Sequence, residues 1–295
     1  MTTLHAKLSH IIDQAISVGI ASKISLWLNQ ENLSIHRGAS DQTVYDLASL
    51  TKIIASTPAL GQAVLDGRIS LDECPISSWS GVSVKDLLGH TSGLAAHVKF
   101  YLSPGITKHD FLKNRALIFT ELFKQKPKPT KERLYSDLNY LALGWLLEQR
   151  YRQNLEQIFS AVWPQARFSK KTVNDQNCFY LGGVAGHAGL FGSLPQVAEF
   201  GRWVLAALTK PQTDLQNLIG RWAQQRLGFD HPSSTGSTRA LSLRAVGHFG
   251  FTGTSLWVDP QSHLIIVLLT NRTEKSLCPE GIFWLRERIH TLAAL

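Results

Sequence analysis

The chain has 295 residues, 44 % hydrophobic and 18 % charged, with a formal charge of +8 and a pI near 9.5. That length and apolar share allow one large domain or two intimate ones, and exclude disorder and a fibrous repeat. The basic residues are scattered. Their densest run, Lys124-Gln-Lys-Pro-Lys-Pro-Thr-Lys131, reads as a solvated loop or a steering element for an anionic ligand. No zinc-finger or RNA-binding signature accompanies it, so no nucleic-acid partner is expected.

At the N-terminus, Leu8, Ile11, Ile12, Ala15 and Ile16 mark one face of an amphipathic helix, not a signal peptide. Lys23–Asn29 and Ser34–Gly38 alternate as strands around a turn at Gln30–Leu33. A helix is expected from Ser49 to about Asp66, kinked by Pro58. Further helices are expected at Val84–His90, Asp110–Lys124 and Leu138–Tyr151. Two strands follow, Thr254–Asp259 and Leu264–Thr270, separated by a turn at Pro260–His263, and a helix closes the chain from Pro279 to Ala294. Strands at both ends with helices between them indicate a discontinuous α/β domain with an inserted helical domain. No apolar run reaches membrane-spanning length. The three cysteines, Cys74, Cys178 and Cys278, are odd in number and far apart, which suits a reducing compartment. A soluble cytoplasmic protein without a membrane partner is expected.

Ser49-Leu-Thr-Lys52 carries the first chemical signal. Positions i and i+3 of a helix share a face, so Lys52 can reach the Ser49 hydroxyl. A serine needs such a base, and a lysine serves only where burial or nearby positive charge stabilises its neutral form. Alone the pattern is weak, because a serine near a helix start with a solvated lysine occurs by chance in many proteins.

Its context resembles a known family. Tyr45-Asp-Leu-Ala-Ser-Leu-Thr-Lys-Ile-Ile-Ala-Ser-Thr-Pro-Ala59 is similar to the active-serine segment of class C β-lactamases, penicillin-binding proteins and related esterases. Asp86-Leu-Leu-Gly-His-Thr-Ser-Gly-Leu94, Tyr135-Ser-Asp137 and His248-Phe-Gly250 resemble three further blocks, in family order, over roughly residues 20–275. The resemblance implies a β-lactamase-like α/β (α+β) fold. Its antiparallel sheet is flanked by N- and C-terminal helices and carries an inserted all-helical domain. The expected units are residues 1–48 with 191–295, and 49–190, with the active site at their interface.

By that resemblance Ser49 is the acylated nucleophile and Lys52 and Tyr135 are catalytic, with either as the base. Tyr135 would relay the serine proton to the leaving group. Asp137 stands where asparagine is commoner: beside Lys52 it would favour the charged lysine, or it caps the following helix. His248 replaces a frequent lysine and offers a switchable charge to the substrate, or is an edge-strand histidine without a role. Phe249 replaces a small hydroxyl residue, which weakens the case for carboxylate recognition there. Gly250 lets the strand approach the substrate, and the N–H groups of Ser49 and Phe251 would form the oxyanion hole.

Gly182-Gly-Val-Ala-Gly-His-Ala-Gly-Leu-Phe191, preceded by Asp175, is similar to a subgroup that includes N-acetylmuramoyl-L-alanine amidases of cell-wall recycling. Asn174 departs from that subgroup's histidine. His187 either lines the pocket or satisfies backbone groups of the glycine-rich turn. His90 and His97 read as structural. The 11 histidines include no HExxH and no tight Cys/His cluster, and no phosphate-binding glycine loop opens a helix, so no metal and no cofactor are expected. The expected function is hydrolysis of an amide in peptidoglycan-derived muropeptides through an acyl-enzyme, by a monomer or weak homo-oligomer. The alternatives are a small-ester hydrolase with incidental β-lactamase activity, or a slow protein that binds β-lactams or peptidoglycan fragments.

Overall fold

A computed structural model describes residues 3–130, 132–169, 172–274 and 276–295; Met1, Thr2 and Lys131 of the basic run lie outside the described residues. In chain order the elements begin with α1 (Thr3–Ser17), β1 (Ile24–Leu28), β2 (Leu33–Arg37) and β3 (Tyr45–Asp46). Then come α2 (Thr57–Leu65), α3 (Val84–Gly89), α4 (Phe111–Phe123), α5 (Asp137–Tyr151), α6 (Leu155–Val162), β4 (Arg167–Phe168) and α7 (Gln176–Tyr180). The chain ends with β5 (Leu190–Gly192), α8 (Leu194–Thr209), α9 (Asp214–Gln224), β6 (Val246–Phe249), β7 (Ser255–Asp259), β8 (Leu264–Thr270) and α10 (Ile282–Ala293). It divides into two compact units, Met1–Leu50 with Phe191–Leu295, and Thr51–Leu190.

The first unit is built on a five-stranded antiparallel sheet in the order β2-β1-β8-β7-β6. Register places Leu26 between Ile35 on β2 and Leu268 on β8. Alternate residues of the central strands (Ile24, Leu26 and Leu28; Leu264, Ile266 and Leu268) cluster with Leu8 and Ile12 of α1 and Leu285 and Ile289 of α10. The other face packs on α8. Covered on both sides, β8 has no solvent face to mark with polar residues, so it reads as an unbroken apolar run and is buried throughout. The sequence pattern did not reveal α8. Pro195 sits in its first turn, behind the Ser193 capping box, where a missing N–H does no harm.

The second unit is helical. Asp110 caps α4, and Asn154 with Gln157 forms a capping box on α6. The kink expected at Pro58 takes a specific form. Lys52–Ser56 is a π-helical turn in which the Thr57 N–H donates to the Lys52 carbonyl. A proline ring clashes with the carbonyl four residues back, and the wider turn relieves that crowding. The glycine-rich segment before β5 also has a packing reason. A Cβ on Gly186 would collide with the Tyr140 carbonyl and crowd the Gly144 amide of α5. Gly186→Ala is therefore expected to lose about 1–3 kcal/mol of stability, read as a shift in the urea midpoint. Among the described residues no helix is long and apolar enough to cross a membrane. All three cysteines are free.

Candidate active site

In the first unit, Ser49 is half-buried and directly follows Ala48, whose φ of +48° is left-handed. For a residue with a Cβ this backbone is strained by about 1–2 kcal/mol, and such strain persists only where neighbours hold it. Here they do. The Asp46 carboxylate accepts the Ala48 N–H at 2.8 Å, and the Leu47 carbonyl accepts the Leu50 N–H at 3.0 Å. The hydroxyls of Thr252 and Thr254 donate to the Asp46 and Leu47 carbonyls at 2.7 and 3.2 Å. Helical backbone starts at Leu50, one residue later than the sequence suggests, so Ser49 itself lies in the turn.

The turn after β6 touches the same segment. A Cβ on Gly250 would clash with the Thr254 hydroxyl and stand 2.8 Å from the Leu47 carbonyl, which explains the glycine. Phe249 faces the core. Its ring packs on Trp257 and His290, at centroid distances of 5.2 and 6.1 Å, in the core against α10. Strand alternation turns this ring to the face opposite His248, so position 249 presents no hydroxyl to a carboxylate there. His248 points the other way and is buried, with Nδ1 donating to the Phe249 carbonyl at 2.7 Å and Nε2 3.8 Å from Asp230. Phe251 is 65 % exposed.

In the second unit, Lys52 is fully buried. Its Nζ donates to Asp137 Oδ1 at 2.9 Å and to the His187 carbonyl at 3.2 Å, and lies 5.0 Å from the Tyr135 ring centre. Burial pulls the Lys52 pKa down, but the Asp137 carboxylate and then Tyr135 outweigh it and hold the ammonium form above its usual range. Burial likewise pushes Asp137 up. The Lys52 charge, the His97 hydrogen bond and His187 overcome that and hold it well below the carboxylate range. The Tyr135 hydroxyl lies 3.4 Å from Asp137 Oδ1.

Asp137 is not the helix cap. Ser136 occupies that position, and Asp137 is the first residue of α5, its carboxylate spent on Lys52 and His97. His90 fixes the Tyr135–Asp137 segment. Its Nδ1 accepts the Ser136 N–H at 3.1 Å, so the proton sits on the other ring nitrogen if the ring is neutral. Its ring lies 4.8 Å from that of Tyr135. His187 does not satisfy backbone groups of the glycine-rich turn with its ring. Nε2 donates to Asp175 at 2.9 Å, and Nδ1 is buried with no partner among the described residues.

Ligand atoms of His97, Asp137 and Asp175 lie within 4.8 Å of one another, close enough to hold a metal ion. Both carboxylates already have partners: Asp137 is paired with Lys52, and Asp175 accepts a hydrogen bond from His187.

The family profile described as Beta-lactamase matches residues 25–283. The chain belongs to the β-lactamase family. A protein named "Putative D-alanyl-D-alanine carboxypeptidase" from Escherichia coli (strain K12) is 24 % identical, over 79 % of this chain and 70 % of its own. A β-lactamase from Mycobacterium bovis shares the fold with a TM-score of 0.60 at 19 % identity, covering 93 % of this chain and 98 % of that one. A hydrolase with promiscuous acyltransferase activity does so with a TM-score of 0.71 at 17 % identity, covering 97 % and 98 %. The protein is a serine hydrolase of the β-lactamase fold.

For a β-lactamase-family chain, two parts of this cluster were not anticipated. His97 donates from Nδ1 to Asp137 Oδ2 at 3.2 Å. That bond, ahead of the opposing burial, and the Asp137 and Asp175 charges raise its pKa. Asp175, which the sequence marks only as a neighbour of the glycine run, pairs with His187. Burial raises its pKa, but the His187 charge and hydrogen bond hold it lowered.

Proposed function

We propose that Ser49 attacks the carbonyl of an amide in a peptidoglycan-derived muropeptide and forms an acyl-enzyme that water then releases. The observation that carries this reading is the buried Lys52 ammonium, fixed by Asp137 beside Tyr135 and three residues beyond Ser49. An ammonium held in its charged form is a poor proton acceptor, so the Tyr135 oxygen takes the serine proton while Lys52 stabilises the negative charge on it. Tyr135 then passes that proton to the leaving amine. In deacylation Tyr135 takes a proton from the attacking water and returns it to Ser49. Negative charge on the tetrahedral oxygen is met by the N–H groups of Ser49 and Phe251. Tyr135→Phe is expected to lower kcat by about 10²–10⁴ with little change in KM, measured on a chromogenic ester.

The glycine run around His187 supports an N-acetylmuramoyl-L-alanine amide as the scissile bond. The names of the Escherichia coli relatives favour a second reading, the terminal peptide of a D-alanyl-D-alanine stem. The three free cysteines support a reducing, cytoplasmic setting. Intact-protein mass spectrometry after brief incubation with a muropeptide separates the readings. An amidase leaves the muramic acyl group on Ser49, whereas a carboxypeptidase leaves the stem peptide less one D-alanine. A β-lactam adduct that never turns over, with no muropeptide adduct, would instead make the protein a ligand-capture module.

A further inference from the structure

Two arginines hold the turn that follows β6. Arg286 of α10 is buried, and its Nη2 donates to both the Gly250 and the Thr254 carbonyls at 2.8 Å. Arg272, just beyond β8, donates from Nε to the Phe251 carbonyl at 2.6 Å and from Nη1 to the Pro279 carbonyl at 3.1 Å. Its backbone N–H donates to the Thr252 carbonyl at 3.2 Å, and its guanidinium lies 4.9 Å from the Phe251 ring centre.

The rest of the turn is tied within itself and to β8. The Gly250 N–H donates to the Thr254 carbonyl at 2.7 Å, the Gly253 N–H to the Gly250 carbonyl at 3.0 Å, and the Thr270 hydroxyl to the Thr252 carbonyl at 2.8 Å. The carbonyls of Gly250, Phe251, Thr252 and Thr254 are therefore all occupied. The Phe251 N–H has no partner among the described residues.

Stability alone does not explain Arg286. It has no carboxylate partner among the described residues, and its Nε is buried without a hydrogen bond. Burial, and then the charge of Arg272, push its pKa down to about 9. A buried, unbalanced cation is unfavourable, and an apolar side chain of similar volume would pack on Phe249 at least as well. What an apolar side chain lacks is the ability to pin two carbonyls at once and to place positive charge beside the turn.

We propose that Arg286 and Arg272 are positioning residues for the hydrolytic reaction. They freeze the Gly250–Thr254 turn with the Phe251 N–H as its unspent donor, and their charge favours a negative oxygen forming against that donor. This rests on the acyl-enzyme chemistry proposed above. A donor fixed before the reaction needs no reorganisation when charge develops, which is where its catalytic value lies. Neither arginine touches the substrate.

The test is steady-state kinetics on a chromogenic ester, paired with the affinity of a phenylboronic acid that forms a tetrahedral adduct on the serine. Arg272→Gln is expected to lower kcat by about 10- to 100-fold with KM within about twofold. Boronate affinity is expected to fall by a similar factor, and Arg272→Lys to recover only part of the loss. Arg286→Lys is expected to behave alike. If it does not fold, the half-buried Arg272 carries the test. Unchanged kcat and boronate affinity in Arg272→Gln, with only a lowered melting temperature, would reduce the clamp to a structural tie and overturn the proposal. Failure of a fluorophosphonate to label Ser49 in the wild-type protein is a separate outcome. It overturns the acyl-enzyme reading, and the clamp's role with it.

Discussion

Ser49→Ala is expected to abolish acylation and to lower kcat/KM for a chromogenic ester by about 10⁴-fold or more. No other group offers a covalent route at that position, and what survives is binding and charge stabilisation. Ala48 should keep its left-handed backbone in the variant, because the bonds made by Asp46, Leu47 and the Thr252 and Thr254 hydroxyls remain. A circular-dichroism melt should accordingly match wild type while the burst phase and the covalent adduct disappear. If Ser49→Ala keeps full turnover, the serine mechanism is wrong whatever the fold.

Local pattern carried much of the fold. The α1 stripe, the β1–β2 hairpin, β8 and α10 were visible because each repeats on its own period, and their packing into one core follows from those stripes. The helices α6, α8 and α9 were not, since α6 is short and α8 opens on a proline and holds Gly201 in its interior. At the site, the effect of a carboxylate at position 137 on Lys52 could be reasoned from charge alone, and the ion pair is present. His97 and the Asp175–His187 pair could not be assigned from spacing. The partners lie 40 and 12 residues apart, with α4 and α7 in between, and no single period links them. The direction of Phe249 could have been read: one residue along a strand from His248, it had to point to the opposite face.

The largest stability effect is expected at Lys52. Lys52→Met removes one half of a buried ion pair and leaves the Asp137 charge to His97 and His187 alone, for a loss of about 3–5 kcal/mol at neutral pH. The pH dependence follows from the directions of the two shifts. Lys52 is raised in the fold, so its contribution is complete below the unfolded value of about 10.4 and is lost as pH rises through the folded one. Asp137 is lowered, so its contribution is complete above the unfolded value of about 3.9 and is lost as pH falls towards the folded one. The pair therefore stabilises the wild-type fold across a broad plateau from about pH 4 to about pH 10. In Lys52→Met the strongest influence left on Asp137 is burial, which favours the neutral acid, so acid relieves the variant while it weakens the wild type. The gap between the two proteins, taken from urea unfolding, should be widest near pH 7 and narrow steadily below about pH 4. A gap that stays the same size below about pH 4 would mean that Lys52→Met destabilises by lost packing and not by stranding the carboxylate. Asp137→Asn tests the same pair from the other side. It leaves the ammonium buried without its counter-charge, so burial should pull Lys52 down and move the basic limb of the kcat profile to lower pH.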